Sequence, residues 1–368
     1  MRIRITLRAA VAAVLAAGAL ACLVPSAALA DDPGRAFFGM QSWSQPAPDD
    51  FALMNRADVG MMRVLFAGDL GNKRHNTHWA PYDAMMKSAA RERIEILPTL
   101  LGISRGRPHR PHTPAGLRKW SEFVNDVAER YGRGGAFWEA NPDLEPMPLT
   151  AYQVWNEPNL PAYWRPKPNA ASYVKLVRLT RERLRAVDPG VSIVLAGLPD
   201  SRLGVPAIEF VRAIYAQPGA RTEFDVVALH PYSTFAAGVM GAMNRTRALM
   251  NRRGDRSTAI WITELGWATG GPRSPFRTTR AGQAARIRAT LTALIAARER
   301  LRLERVTLFG LQDRALGATE KPWWGPRVGL FGIDGRPKPA WDAFLDFTGG
   351  ERGGRVRSLA ARRADPTL

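Results

Sequence analysis

The chain has 368 residues, 46% of them hydrophobic, and carries 52 Lys and Arg against 33 Asp and Glu, a formal net charge of +19. Its one cysteine, Cys22, excludes a disulfide-held scaffold, so an apolar core must hold the fold unaided. A basic surface suits an acidic polysaccharide, nucleic acid or an anionic envelope, but the arginines are scattered over helix-like segments, so the plainer reading is an arginine-rich surface with no nucleic-acid partner.

In chain order, residues 1–30 read as a signal peptide. Arg2, Arg4 and Arg8 precede an apolar run from Ala9 to Val24, Pro25 breaks it, and Ala28-Leu29-Ala30 fits the small-residue cleavage rule. The run is short of the ~20 residues a membrane span needs. The expectation is therefore a secreted chain starting at Asp31, without cysteine and without stable membrane insertion. Leu20-Ala21-Cys22 is only weakly similar to a lipoprotein signal.

Strand-like and helix-like segments then alternate. The pattern predicts strands over Phe37 to Trp43, Met61 to Phe66, Ile94 to Leu101, Tyr152 to Glu157, Val191 to Leu198, Phe224 to His230, Ala259 to Glu264 and Val306 to Leu311. Helices are predicted between them, among them one from Pro114 to Tyr131 capped by Thr113 and one from Ala170 to Val187, with a last from Lys338 to Phe347. The strands are continuous apolar runs, as in a parallel sheet buried on both faces. Eight such units indicate an α/β protein built as a single (β/α)8 TIM barrel over residues 31–348, followed by a flexible basic tail over 349–368. A doubly wound open sheet fits less well, because no glycine-rich phosphate turn follows the first strand, which ends Gln41-Ser42-Trp43-Ser44-Gln45.

Two glutamates stand out. Glu157 ends the fourth strand in Tyr152-Gln-Val-Trp-Asn-Glu-Pro-Asn159, and Glu264 ends the seventh in Ile260-Trp-Ile-Thr-Glu-Leu-Gly-Trp267. A carboxylate at the end of a buried strand is costly unless used or paired. Both belong to the C-terminal face of a barrel, where active sites form, on strands roughly opposite across the mouth. Two carboxyls brought to ~5–5.5 Å across a substrate have the spacing of a retaining glycosidase.

Asn156-Glu157-Pro158 together with Glu264 resembles clan A of the glycoside hydrolases. Within it the chain is most similar to the family 5 and family 39 enzymes and to secreted polysaccharide endoglycosidases, over Phe37 to Phe347. The resemblance implies a hydrolase of polysaccharide degradation with Glu157 as acid/base and Glu264 as nucleophile. It implies that Asn156 bonds the sugar 2-hydroxyl, that Tyr232 of His230-Pro231-Tyr232 touches the nucleophile, and that Arg63 holds the nucleophile ionised. Glu157, beside Trp155, should hold its proton more tightly than an exposed carboxyl does. Trp43, Trp267 and Trp323 are candidates for stacking on sugar rings, with Trp79, Trp164 and Trp324 also in loops or near strand ends. The clan has a tryptophan at the end of strand eight; here the segment is Phe309-Gly310-Leu311-Gln312-Asp313, and Trp323 or Trp324 from the next loop is the expected substitute.

Other motifs lead elsewhere and are weaker. Gly102-Ile-Ser104-Arg-Gly106 matches a hydrolase nucleophile elbow, but Pro108, Pro111 and Pro114 forbid the helix that must follow. His75 with His78, and His109 with His112, lack a zinc-type ligand cluster. No metal or other cofactor is expected, and the chain is read as a monomer acting on a carbohydrate. The alternative is a glycan-binding barrel without catalysis or an enzyme that mainly transglycosylates; two intact glutamates disfavour lost catalysis.

Overall fold

The computed structural model describes residues 32–43, 45–71, 78–318 and 320–356. The expected leader, His75 and the tail beyond 356 lie outside them. No helix of the described residues is long and apolar enough to cross a membrane.

Eight strands run parallel around a closed barrel. They are β1 (Phe38–Gln41), β2 (Met61–Asp69), β3 (Glu95–Ser104), β4 (Ala151–Val154), β5 (Ser192–Leu195), β6 (Val226–His230), β7 (Ala259–Leu265) and β8 (Leu303–Phe309). Each pairs with its successor, and Phe38 against Val306 and Gly39 against Thr307 close the ring between β1 and β8. The helices α1 (Pro48–Arg56), α2 (Ala80–Arg91), α3 (Pro114–Tyr131), α4 (Ala170–Val187), α5 (Ala207–Tyr215), α6 (Ala236–Arg252), α7 (Arg280–Ala296) and α8 (Pro339–Thr348) connect them. Local chemistry starts these helices where the sequence indicates. Thr113 Oγ1 accepts from Gly116 N at 3.0 Å, Asn169 Oδ1 from Ser172 N at 2.8 Å and Thr279 Oγ1 from Gly282 N at 3.0 Å.

Alternation along the strands builds the barrel interior in two layers. Met61, Leu97, Ala228 and Trp261 join Val194, Val226 and Ala259 in an apolar plug at the N-terminal end. Two residues further on, on the same face of the same strands, come Arg63, Thr99, His230 and Thr263, all buried. These strands therefore carry buried polar residues facing the barrel axis where continuous apolar runs were expected. The upper barrel is a polar floor on an apolar plug.

Three further differences concern the connections. The loop after β3 holds a short antiparallel pair, Ile103 and Ser104 with Pro108 and Arg107, which settles Ser104 in a hairpin rather than a nucleophile elbow. The segment before β4 contains a one-turn helix, Ala136–Glu139. The tail, expected to be flexible from residue 349, is instead seated on the barrel through residue 356. Val356 is 4% exposed within the main core, Trp341 Nε1 donates to Gly353 O at 3.0 Å, and Glu351 N donates to Arg56 O at 2.8 Å. Its basic character concealed this, because Val356 is a single apolar anchor among charged residues and glycines.

Deleting residues 351–368 removes the Val356 contact and the Trp341 hydrogen bond. Urea denaturation is expected to show a loss of about 2–4 kcal/mol; an unchanged midpoint would show that the segment only rests on the surface.

Candidate active site

Glu157 reaches the barrel mouth through a strained corner. β4 ends at Val154, and Trp155 and Glu157 both take left-handed backbone angles, φ 75° and 44°. For a bulky residue such a conformation costs ~1–3 kcal/mol and must be held from outside. Trp155 is held by its N–H on Leu100 O at 2.9 Å, by its Nε1 on Tyr163 O at 3.0 Å and by packing of its buried ring against Trp120 and Trp164. The corner turns Asn156 and Glu157 toward the axis.

Arg63 is the hub beneath them. Only 2% exposed, it donates from Nε to Gln153 Oε1 at 2.6 Å, from Nη2 to Asn156 Oδ1 at 2.8 Å, and from Nη1 to Glu264 Oε1 at 2.6 Å and to Gln41 Oε1. Glu264 also accepts at Oε2 from the Tyr232 hydroxyl at 2.9 Å. Burial first, then the charge of Glu264, keeps the Tyr232 phenol protonated far above its ordinary range, so it stays a donor.

His230 stands between the two glutamates, fully buried, with Nδ1 at 2.8 Å from Glu157 Oε1 and 3.5 Å from Glu264 Oε2. Burial and then Arg63 push its pKa well below the usual value, so the ring is neutral. Its tautomer follows from the network. Gln153 directs Nε2 hydrogens to Leu195 O and to Thr263 Oγ1, so the Thr263 hydroxyl is left to donate to His230 Nε2 at 3.1 Å. The ring hydrogen is then on Nδ1, aimed at Glu157 Oε1. Gly197 makes room for this ring: a Cβ there would lie 1.9 Å from Nε2.

The two carboxyls thus differ in surroundings. Glu157 makes no contact with the guanidinium; burial first, then the negative charge of Glu264, raises its pKa well above the carboxylate range, with Arg63 offsetting part of the rise. Oxygen atoms of the two glutamates and a ring nitrogen of His230 all lie within 4.8 Å of one another. That spacing also suits a metal ion, but a divalent cation would stand against the Arg63 guanidinium already seated on Glu264.

These groups form the floor of a cleft of about 970 Å3. One wall is aromatic. Trp43 packs on Phe309 at 4.5 Å and edge-on to Trp323 at 5.5 Å, and Trp324 joins Tyr232 to Phe276 at 5.1 and 4.9 Å. Trp323 and Trp324, from the loop after β8, line the cleft together with Phe309 at the end of that strand. Trp267 does not line the cleft. Its ring is fully buried in the core and its Nε1 donates to Ser233 O at 2.7 Å, because the chain turns outward after Leu265. Trp164 is likewise core, and Trp79 packs against α3.

Several site residues escaped the sequence reading. Gln41 and Thr99 line the cleft floor, Gln153 and Thr263 are fully buried and bond the groups of that floor from within the barrel, and Tyr163 borders Glu157 and Asn156 from the following loop. The available signal was a lone polar residue inside each apolar run, two positions beyond an inward-facing one.

Because Glu157 holds its proton more tightly in the folded chain than at the unfolded value of ~4.3, its contribution favours folding in acid and is lost as pH rises through the folded pKa. Glu157→Gln keeps the acceptor for His230 and removes that loss. Melting temperatures of the two proteins should converge near pH 4 and separate in favour of the glutamine variant toward alkaline pH; parallel curves would mean an ordinary, solvated carboxyl.

The family model described as glycosyl hydrolase catalytic core matches residues 123–318, just over half the chain. A curated β-xylosidase of Geobacillus stearothermophilus is 30% identical over 84 residues, covering 22% of this chain and 14% of that enzyme. Among solved structures, a family 39 glycoside hydrolase of Bacteroides cellulosilyticus is similar with a TM-score of 0.61 and 17% identity, over 86% of this chain and 64% of that one. A glucosidase of Croceicoccus marinus gives 0.64 and 16%, over 86% and 68%, and a family 39 β-xylosidase of Caulobacter crescentus 0.59 and 18%, over 89% and 74%. At these identities the structures speak for a shared barrel, and the family match extends through both glutamates: the chain belongs to the glycosyl hydrolase catalytic core family.

Proposed function

We propose that the protein is a retaining β-glycosidase acting on an oligosaccharide or polysaccharide, with Glu264 as nucleophile and Glu157 as acid/base. The observation that carries this reading is the pair of carboxyls with oxygens within 4.8 Å, one bound to a cation and the other set to hold a proton. Such a separation favours direct attack over activation of an intervening water, which needs ~6.5–9.5 Å.

In the first step a Glu264 oxygen attacks the anomeric carbon while the glycosidic C–O bond breaks and the leaving oxygen takes the Glu157 proton. His230 Nδ1–H holds Oε1, which leaves Oε2 to carry that proton into the cleft. Forming the glycosyl ester removes the charge of Glu264, one of the two causes that raise the Glu157 pKa. Glu157 can then accept a proton from the water that attacks the ester. Asn156 and the aromatic wall are assigned to sugar binding. Export rests on the leader sequence, and the relatives named β-xylosidase and glucosidase direct the choice of first substrates.

On aryl β-xylosides and β-glucosides, Glu264→Ala is expected to abolish turnover. Glu157→Ala should lower kcat by about 10²–10⁴ on poor leaving groups, with azide restoring the rate as a β-glycosyl azide. Nuclear magnetic resonance of the first product should read the β-anomer, and protein recovered from the culture medium should begin at Asp31. An α-anomer first would sink the double displacement, and undiminished turnover by Glu264→Ala would sink the assignment.

A further inference from the structure

A second concavity, of about 660 Å3, opens beside the cleft. One side is the chain that leaves the hairpin after β3, with His109, Arg110 and His112; the other is the loop after β4, with Pro161, Ala162 and Arg165. The two sides are neighbours because β3 and β4 are paired. The wall between this groove and the cleft is a single turn of chain. Leu160 and Tyr163 face the cleft, Pro161 and Ala162 face the groove, and the turn is tied to the corner by Leu160 N on Glu157 O at 2.9 Å.

The charge of the groove is of one sign. Two guanidinium groups and two imidazoles line it, and no acidic side chain does. Several arginines elsewhere on the barrel do face a carboxylate: Arg130 meets Asp83, Arg178 Glu223, Arg185 Asp225 and Arg314 Glu320. At the groove, Arg110 and Arg165 make no ion pair among the described residues, and nor do Arg105 and Arg107 on the hairpin beside it. Arg110 is nevertheless oriented, by Nε on Arg165 O and by its guanidinium 5.8 Å from the Trp164 ring centroid. His112 Nδ1 lies 3.0 Å from Arg110 O, and the two imidazoles are 5.7 Å apart. The crowding registers on His109, whose pKa is lowered by burial and then by His112, Arg110 and Lys119. Cations assembled without a counterion favour an anion between them.

We propose that this groove is a subsite for a sugar residue bearing a carboxylate or sulfate, on the leaving-group side of the scissile bond, so that the glycan cleaved is anionic. The side follows from the proposed roles: Glu157 protonates the leaving oxygen, and the turn it anchors separates cleft from groove. The inference thus rests on the glycosidase reading for its orientation, while the anion site itself stands on the groove.

Binding separates the two. In the Glu157→Gln background, which blocks turnover without changing the charge of a protonated Glu157, calorimetry compares three probes. They are a β-1,4-linked oligoglucuronate, the same oligosaccharide with its carboxyls reduced to alcohols, and a sulfated form of that neutral chain. At low salt at least one acidic probe should bind roughly tenfold tighter than the neutral one, as expected of a charge-assisted hydrogen bond. Adding Arg110→Gln and Arg165→Gln should bring that ratio close to one while leaving kcat on a small aryl glycoside, measured with Glu157 intact, unchanged. The proposal is overturned if neither acidic probe outbinds the neutral chain, or if the preference survives in the double variant. An intact preference in a protein whose wild type cleaves no glycoside would retain the anion site and discard the hydrolase reading.

Discussion

One buried cation organises the mouth of this barrel. A guanidinium taken out of water is tolerated only when its donors are satisfied and a countercharge is close. Arg63 meets both conditions through Gln41, Gln153, Asn156 and Glu264, which come from β1, β4, the corner after β4 and β7. Satisfying one side chain therefore sets four chain segments at the same height. It also breaks the symmetry of two otherwise similar glutamates. Glu264 sits in contact with the cation, and Glu157 meets Glu264 as a negative neighbour.

Around that hub the structure accepts local cost in exchange for position. Trp155 and Glu157 sit at left-handed backbone angles, and the aromatic packing of Trp155 holds them there. Gly197 leaves the space that the His230 ring fills. The chain Gln153–Thr263–His230 then decides which imidazole nitrogen carries hydrogen, and so which oxygen of Glu157 faces the cleft. The setting of Glu157 is a property of several strands together.

The two glutamates of the site were legible from local pattern. Glu157 and Glu264 stand at strand ends that apolar runs and turn residues mark out, whereas Arg63, Asn156, His230 and Tyr232 were named through the resemblance; the structure brings all six together at the barrel mouth. Trp267 was misread because nearness in sequence to a strand end does not set direction: three residues after Glu264 the chain has turned and the indole lies in the core. Gln153, Thr99 and Thr263 were passed over because a parallel sheet buried on both faces leads one to expect apolar residues throughout, whereas the upper half of a barrel interior can be polar when its groups bond one another. The composition of residues 349–356 concealed their seat, since Val356 is the single apolar anchor and the rest is hydrogen bonding at Glu351 and Gly353.

Taken alone, the sequence determined the alternation of strands and helices, the caps that start the helices and the two strand ends that carry glutamates. These are local matters of periodicity, turn chemistry and side-chain hydrogen bonding, each decided within a few residues. Only the closed barrel decided the distance between the glutamates, the proton-holding character of one of them, the side of the indole at Trp267 and the acid-free groove beside the cleft. Those depend on burial, on charge–charge distance and on the facing of segments far apart in the chain, and such quantities have no value until the strands are paired.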